Sequence, residues 1–217
     1  MNLTDLQIAL RARALTLSVA TTGSATLVAT ATGYTRASGS FVTDGFVAGM
    51  EILPAGFTTN TPRVIQSVAA GTLVVRGSVT PESSGASRSL TCGLPSLRGW
   101  DNQRVTLIAD RWAVEEEFIQ QPGRLRTFPA ASGQMELRGL YILRVYVVQG
   151  PGLAAGRRWA DALLELFLPE STLAVTGGDT VRIRGELTPS VSGYVPAQAG
   201  WSAFTVSVPW WALVTNA

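Results

Sequence analysis

Histidine and lysine are both absent from this chain of 217 residues, and all 17 of its basic residues are arginines. Without histidine the commonest general base and metal ligand is missing, and a Ser-His-Asp triad cannot form. Without lysine there is no Gly-Lys-Ser/Thr phosphate loop. A Gly-x-Ser-x-Gly nucleophile turn is also lacking. Cys92 is the one cysteine. It excludes an intrachain disulfide and a Cys/His zinc site, and it reads as a buried thiol. Gly177 and Gly178 do not sit between a strand and a helix, so they make no nucleotide fingerprint. Asp161 and Glu165 form an acidic pair one helical turn apart, which is ordinary on a polar helix face. These absences argue against an enzyme, with no catalytic residue, metal or cofactor expected. Charge is scarce too: 15% of residues are charged and the net charge is +2, which gives little electrostatic claim on nucleic acid or membrane. A GC-rich coding sequence accounts for arginine in place of lysine. No apolar run approaches the roughly 20 residues of a membrane-spanning helix. Residues Met1 to Gln7 lack the basic start and apolar centre of a secretory signal.

Hydrophobic residues, at 46%, are plentiful enough for one large folded domain or two small ones. The clearest element runs from Leu137 to Phe167. Residues 139–148 are β-branched, aromatic and aliphatic, with Tyr141, Leu143, Val145 and Val147 on one unbroken apolar face. Arg144 and Tyr146 interrupt the other face. Gln149 to Gly152 reads as a turn. The period then becomes helical: Trp159, Leu163, Leu166 and Phe167 line one side, opposite Arg157, Arg158, Asp161 and Glu165. Pro169 stops the helix. A helix laid on a sheet is expected.

Upstream, residues 4–17 predict an amphipathic helix with Leu6, Leu10, Ala14 and Leu17 on one side and Thr4 or Asp5 as its cap. Near Ser18 the composition changes. Residues 20–95 are rich in Thr, Ser, Ala, Gly and Val, with strand-like pieces at 25–31, 39–42, 50–53, 63–68, 72–76 and 90–93. Short strands at close spacing suggest a small β-barrel or sandwich. Residues 94–102 read as a connector. Residues 112–119 predict a strand in which Glu116 shares a face with Val114 and Phe118, which is costly in a dry core. An edge strand, or a face turned to water or to a partner chain, is therefore expected there. Residues 120–134 read as a long loop or open hairpin arm, 181–184 as a brief strand and 189–200 as a loop. In the closing run, Phe204, Val206, Val208 and Trp210 alternate with Ala203, Thr205 and Ser207. Pro209 puts that run at a strand end or sheet edge.

The strand, Gly-Pro turn and helix through Trp159 to Phe167, and the closing strand from Gly200 to Ala212 with Pro209 before Trp210, resemble the tail terminator proteins of long-tailed bacteriophages. So do the opening helix and the 94–102 segment. The resemblance covers residues 3–17 and 94–213. It implies an α+β domain, with an α/β-type sheet and packed helices, formed by residues 1–19 and 94–217. Residues 20–93, similar to small β-modules of phage structural proteins, are expected as an inserted all-β domain. It further implies a non-enzymatic virion protein at the neck, assembled in the bacterial cytoplasm. Such proteins form a homohexameric ring that caps the tail tube, stops its polymerisation and meets the head-side connector or stopper protein. Genomic DNA passes through the lumen without sequence-specific binding.

A ring requires two different complementary surfaces on each copy. Candidates are the 120–134 loop, Glu115, Glu116, Glu117 and Arg144. The glutamates can pair with Arg124, Arg126 or Arg138 of a neighbour, or line a channel that repels DNA; the simpler alternative is a solvated face of an edge strand. Arg157 and Arg158 can grip partner carboxylates, or simply face solvent. Trp210 and Trp211 suit an interface anchor, although the alternation turns one of them to the core. The rival assignments are a head-completion or stopper protein, a tail tube subunit, and a β-rich carbohydrate-binding module using Tyr34, Phe41, Phe46 and Phe57.

Overall fold

The computed structural model describes residues 3–23, 26–85, 87–108, 111–125, 134–150, 152–176, 179–184, 187–198 and 200–215. As far as the described residues show, the chain is mostly β, with 45% strand and 15% helix in two helices. Helix α1 (Leu3–Leu15) leads into a curled sheet of β1 (Ser18–Gly23), β2 (Val28–Thr30), β3 (Gly33–Thr35), β4 (Glu51–Ala55), β5 (Arg63–Val68), β6 (Thr72–Val75) and β7 (Ser89–Gly93). Its order is β1-β7-β4-β5-β6-β3-β2. A second sheet holds β8 (Leu97–Gly99), β9 (Ala113–Leu125), β10 (Gln134–Val148), β11 (Thr172–Ala174), β12 (Thr180–Ile183), β13 (Ser190–Gln198) and β14 (Trp201–Thr215). Helix α2 (Gly152–Leu166) follows β10. The order is β11-β12-β14-β10-β9-β8, with β13 also paired to β14.

The expectation of an α/β-type sheet is corrected here. Every described pair in the second sheet is antiparallel except β8 with β9, so hairpin-type returns, not helical crossovers, build it. Three further corrections concern elements. Residues 39–42 form turns, not a strand. The arm expected from Gln120 is strand up to Leu125 and again from Gln134. The expected loop at 189–200 contains β13, whose register shifts at Ser192/Val195 and Pro196/Gln198 let a strand with Gly193 and Pro196 stay on β14.

The alternation read in β10 and β14 sets the layers. Tyr141, Leu143, Val145 and Val147 are fully buried, and their partners Val208, Val206 and Phe204 continue the same face. Helix α2 lies on it through Ala155, Trp159, Ala160 and Leu163. Gly156 makes this close approach possible, and Gly139 lets Trp210 lie close against the sheet. A Cβ on Gly156 would stand 2.6 Å from the Phe204 ring, and one on Gly139 would stand 2.1 Å from the Ile119 carbonyl and 2.4 Å from the Trp210 indole. Across Gly139, Trp210 stacks on Phe118 at 5.1 Å and 10°.

A 13-residue helix such as α1 is marginal alone in water. It is held because Leu6, Leu10 and Ala14 bury completely, each leucine contributing about 1.5–3 kcal/mol. The Arg13 Nε donates to the Leu166 carbonyl at 3.0 Å, capping the end of α2. The first sheet joins the same hydrophobic cluster. At the junction, the Trp159 indole donates to the buried Gly93 carbonyl at 3.1 Å, and Glu51 accepts from the Ser96 amide and hydroxyl at 2.9 Å each. Burial raises the Glu51 carboxyl above its ordinary value, and those bonds oppose the rise. Ser18 pairs with Gly93, so the excursion through β1–β7 begins and ends on one ladder rung.

Gly139→Ala tests the close packing. A methyl there meets a backbone carbonyl and an indole that cannot both retreat, so the expected loss is about 1–3 kcal/mol or more of unfolding free energy. Urea denaturation measures it, and near-neutral stability would show that Trp210 does not rest on Gly139.

Candidate functional site

The two faces of the second sheet differ in chemistry, and β9 shows why. Its alternation puts Glu116 beside Leu143 on the helix-covered face and sets Glu115 opposite Arg144, and Glu117 opposite Ile142, on the other face. Glu116 is 1% exposed. Helix α1 supplies its partners: the Arg11 Nε at 2.8 Å and the Gln7 amide at 3.0 Å. Arg11 also reaches Asp101 at 2.6 Å and lies 4.9 Å from the centre of the Trp100 ring. Asp101 and Asn102 both take left-handed backbone conformations, φ 59° and 62°. Such a conformation is tolerable in residues whose short polar side chains bond locally. The Asn102 side-chain oxygen accepts the Phe118 amide at 2.9 Å.

On the opposite face, both Glu115 oxygens are engaged, one by the Val105 amide at 3.0 Å and one by the Tyr146 hydroxyl at 2.7 Å. Burial, then the bond to Glu115, raises the Tyr146 phenol, which therefore stays a neutral donor. Arg144 lies 3.8 Å from Glu115 and 3.9 Å from Glu117, too far for a direct hydrogen bond to either carboxylate. The segment after β8 crosses this face, and Val105 and Leu107 pack on Ala113, Tyr146 and Ala203. Between that segment and the sheet lies a groove of about 560 Å³ lined by Arg104, Val105, Leu107, Glu115, Arg144, Tyr146, Ala197, Ala203 and Thr205. A smaller hollow of about 250 Å³ adjoins it at Asn102, Glu117 and Ile142.

The candidate residues therefore separate. Glu116 is corrected from a partner-facing residue to an internal ion pair, because the strand's parity and α1 enclose it. Glu115 is hydrogen-bonded within the chain, whereas the Glu117 side chain is 47% exposed. Arg138 pairs with Glu136 two residues before it at 2.5 Å. Arg157 pairs with Asp161 on the exposed side of α2 at 3.0 Å. Arg158 is exposed, and its guanidinium reaches over Gly45. Trp210 is fully buried and so is a core residue, not a surface anchor. Trp211 is half-buried under the Arg182 guanidinium, 5.4 Å from the ring centre. Arg126 and the side chain of Arg124 lie outside the described residues. Sequence reasoning missed Gln7, Arg11 and Asp101 as the partners of Glu116. The signal was present: an acid on a core face requires a cation, and Arg11 is on the first helix. It also missed Arg104, Val105 and Leu107, which carry no periodicity.

Among the described residues, no group of three His, Cys, Asp or Glu could hold a metal ion, and no helix is long and apolar enough to cross a membrane. Cys92 is buried, and burial pushes its thiol up to about 12, where it is a poor nucleophile. Residues 118–210, which run from β9 to β14 and include α2, match the family model described as phage tail terminator protein. That match supports a phage tail terminator family for this segment and, with it, a structural role in phage tail completion. No curated protein matches. One solved structure is similar over 58% of this chain and 82% of its own at 18% identity, with a TM-score of 0.42.

Removing one partner of a buried ion pair strands the other charge. Arg11→Met is expected to cost about 3–5 kcal/mol at neutral pH, and Arg11→Met with Glu116→Gln distinctly less. Burial raises the Glu116 carboxyl, against the hydrogen bonds from Gln7 and Arg11. The folded chain thus keeps this proton at a pH where the unfolded chain has lost it. Stability from this group is fullest near or below the ordinary value of 4.5 and falls as pH rises through the raised one. The Arg11→Met deficit should therefore shrink as pH is lowered towards 4.5. Denaturation curves across that range measure it, and a pH-independent deficit would count against a stranded carboxylate.

Proposed function

We propose that the chain is a tail terminator: a non-enzymatic protein whose copies form a ring that caps the tail tube, stops its polymerisation and joins it to the head-side connector. The observation that carries this reading is the position of the family match. It falls on the strand–strand–helix–strand unit that makes the second sheet and α2. In this reading α1 and residues 94–217 make the terminator-type α+β domain, with six copies to a ring, and genomic DNA passes through the lumen without sequence-specific contacts. The protein sits at the virion neck after assembly in the host cytoplasm. Residues 20–93 are an inserted β-domain, a division supported by the Ser18–Gly93 pairing at its two ends.

Light scattering and negative-stain imaging over a range of concentrations test the assignment. Closed rings of about six copies that bind the ends of purified tail tubes and halt their growth are expected. Open-ended tubes made by the chain itself would reassign it as a tube subunit. Binding to connectors without tube capping would make it a stopper protein.

A further inference from the structure

The groove on the uncovered sheet face has an electrostatic bias that follows from its hydrogen bonds. Glu115, its acidic lining residue, already accepts from Val105 and Tyr146. Arg104 has no side-chain partner among the described residues, and Arg144 stands outside hydrogen-bond range of both neighbouring carboxylates. The groove therefore offers the Arg104 guanidinium and that of Arg144, loosely ion-paired to Glu115 and Glu117 and in contact with Tyr146, beside an apolar lining of Val105, Leu107 and Ala203.

The opposite face of the layer ends in the reverse pattern. Where α2 stops, Phe167 turns inward against Tyr141 and Leu168 turns outward, 59% exposed. Glu165 and Glu170 flank it, both exposed, and neither carboxylate has a partner among the described residues. Glu170 takes φ 61° in the turn that sets this tip apart from the helix. The chain thus presents a leucine between two carboxylates on one face and an apolar groove with two guanidiniums on the other.

We propose that the α2 tip of one copy, Leu168 with Glu165 and Glu170, docks in the Arg104–Arg144 groove of a second copy. Tip and groove belong to opposite faces of one sheet, so the contact is head-to-tail, the kind that generates a ring when its rotation closes. Leu168 enters the apolar floor while the carboxylates meet the guanidiniums, where arginine can form paired hydrogen bonds. This inference rests on the ring reading above and names the surfaces that close it.

The test is a charge swap read by light scattering. A tip variant, Glu165→Arg with Glu170→Arg, and a groove variant, Arg104→Glu with Arg144→Glu, should each fall towards the 22.9 kDa single chain. Half-assembly should require at least about tenfold more protein, as expected for like charges placed opposite one another. Mixing the two variants, or combining all four changes in one chain, should restore assembly, because every tip again faces a groove of opposite sign. The groove variant also gathers carboxylates around Glu115 and Glu117, so its melting curve is checked. The tip carboxylates are exposed and make no hydrogen bond or ion pair among the described residues, so the tip variant decides the matter if the groove variant does not fold. Wild-type rings that the tip variant leaves intact would overturn this inference and leave the ring reading standing. A wild-type chain that stays monomeric and also fails to cap tail tubes would overturn both.

Discussion

The register between β10 and β14 is the constraint on which the other features depend. The two strands pair without a break from Gln134–Thr215 to Val148–Trp201. A slip of one residue would exchange the two faces of the sheet. Arg144 and Tyr146 would then lie under α2, and Val145 and Val147 would face the groove. With the register as found, the apolar face of β10 and β14 receives the helix and the polar face carries none. The Gly139–Trp210 rung belongs to this register, and the Trp210–Phe118 stack depends on the missing side chain there.

The second organising interaction crosses between layers. Glu116 breaks an otherwise apolar face, and the break is filled by the arginine and glutamine of the first helix. A buried ion pair seldom stabilises as much as an apolar substitute of similar volume. It does, however, penalise any placement of α1 that leaves either charge alone. The ion pair, the Arg13 cap on α2 and the buried leucines together fix the helix to one position on the sheet. On the opposite face Glu115 is bonded to the Val105 amide and the Tyr146 hydroxyl, and Arg144 lies between Glu115 and Glu117.

How much of this was legible in the sequence depends on periodicity. The strand through Tyr141 to Val147, the helix through Trp159 and the closing strand through Phe204 to Trp210 were readable, because each repeats its pattern against a single neighbour. The first helix was readable for the same reason. Glu116 was correctly seen as misplaced on an apolar face, but its resolution was not, since the compensating charge lies about a hundred residues away. Strand β13 was hidden by Gly193 and Pro196, which signal a loop unless the partner strand is known. The 100–108 segment has neither strand nor helix period, and its contribution to the groove appears only when the chain is folded over Ala113, Tyr146 and Ala203.

The pairing of Ser18 with Gly93 has a mechanical meaning. Tension along the backbone from α1 to β8 reaches β1 and β7 first, and these antiparallel strands take it where they enter and leave the curled sheet. The strands β2 to β6 lie beyond that rung, as a side branch lies off a stressed beam. The indole of Trp159, bonded to the Gly93 carbonyl, braces the same point from the helix side. Sequence and length can therefore vary along the outer strands without altering how force passes between α1 and the second sheet.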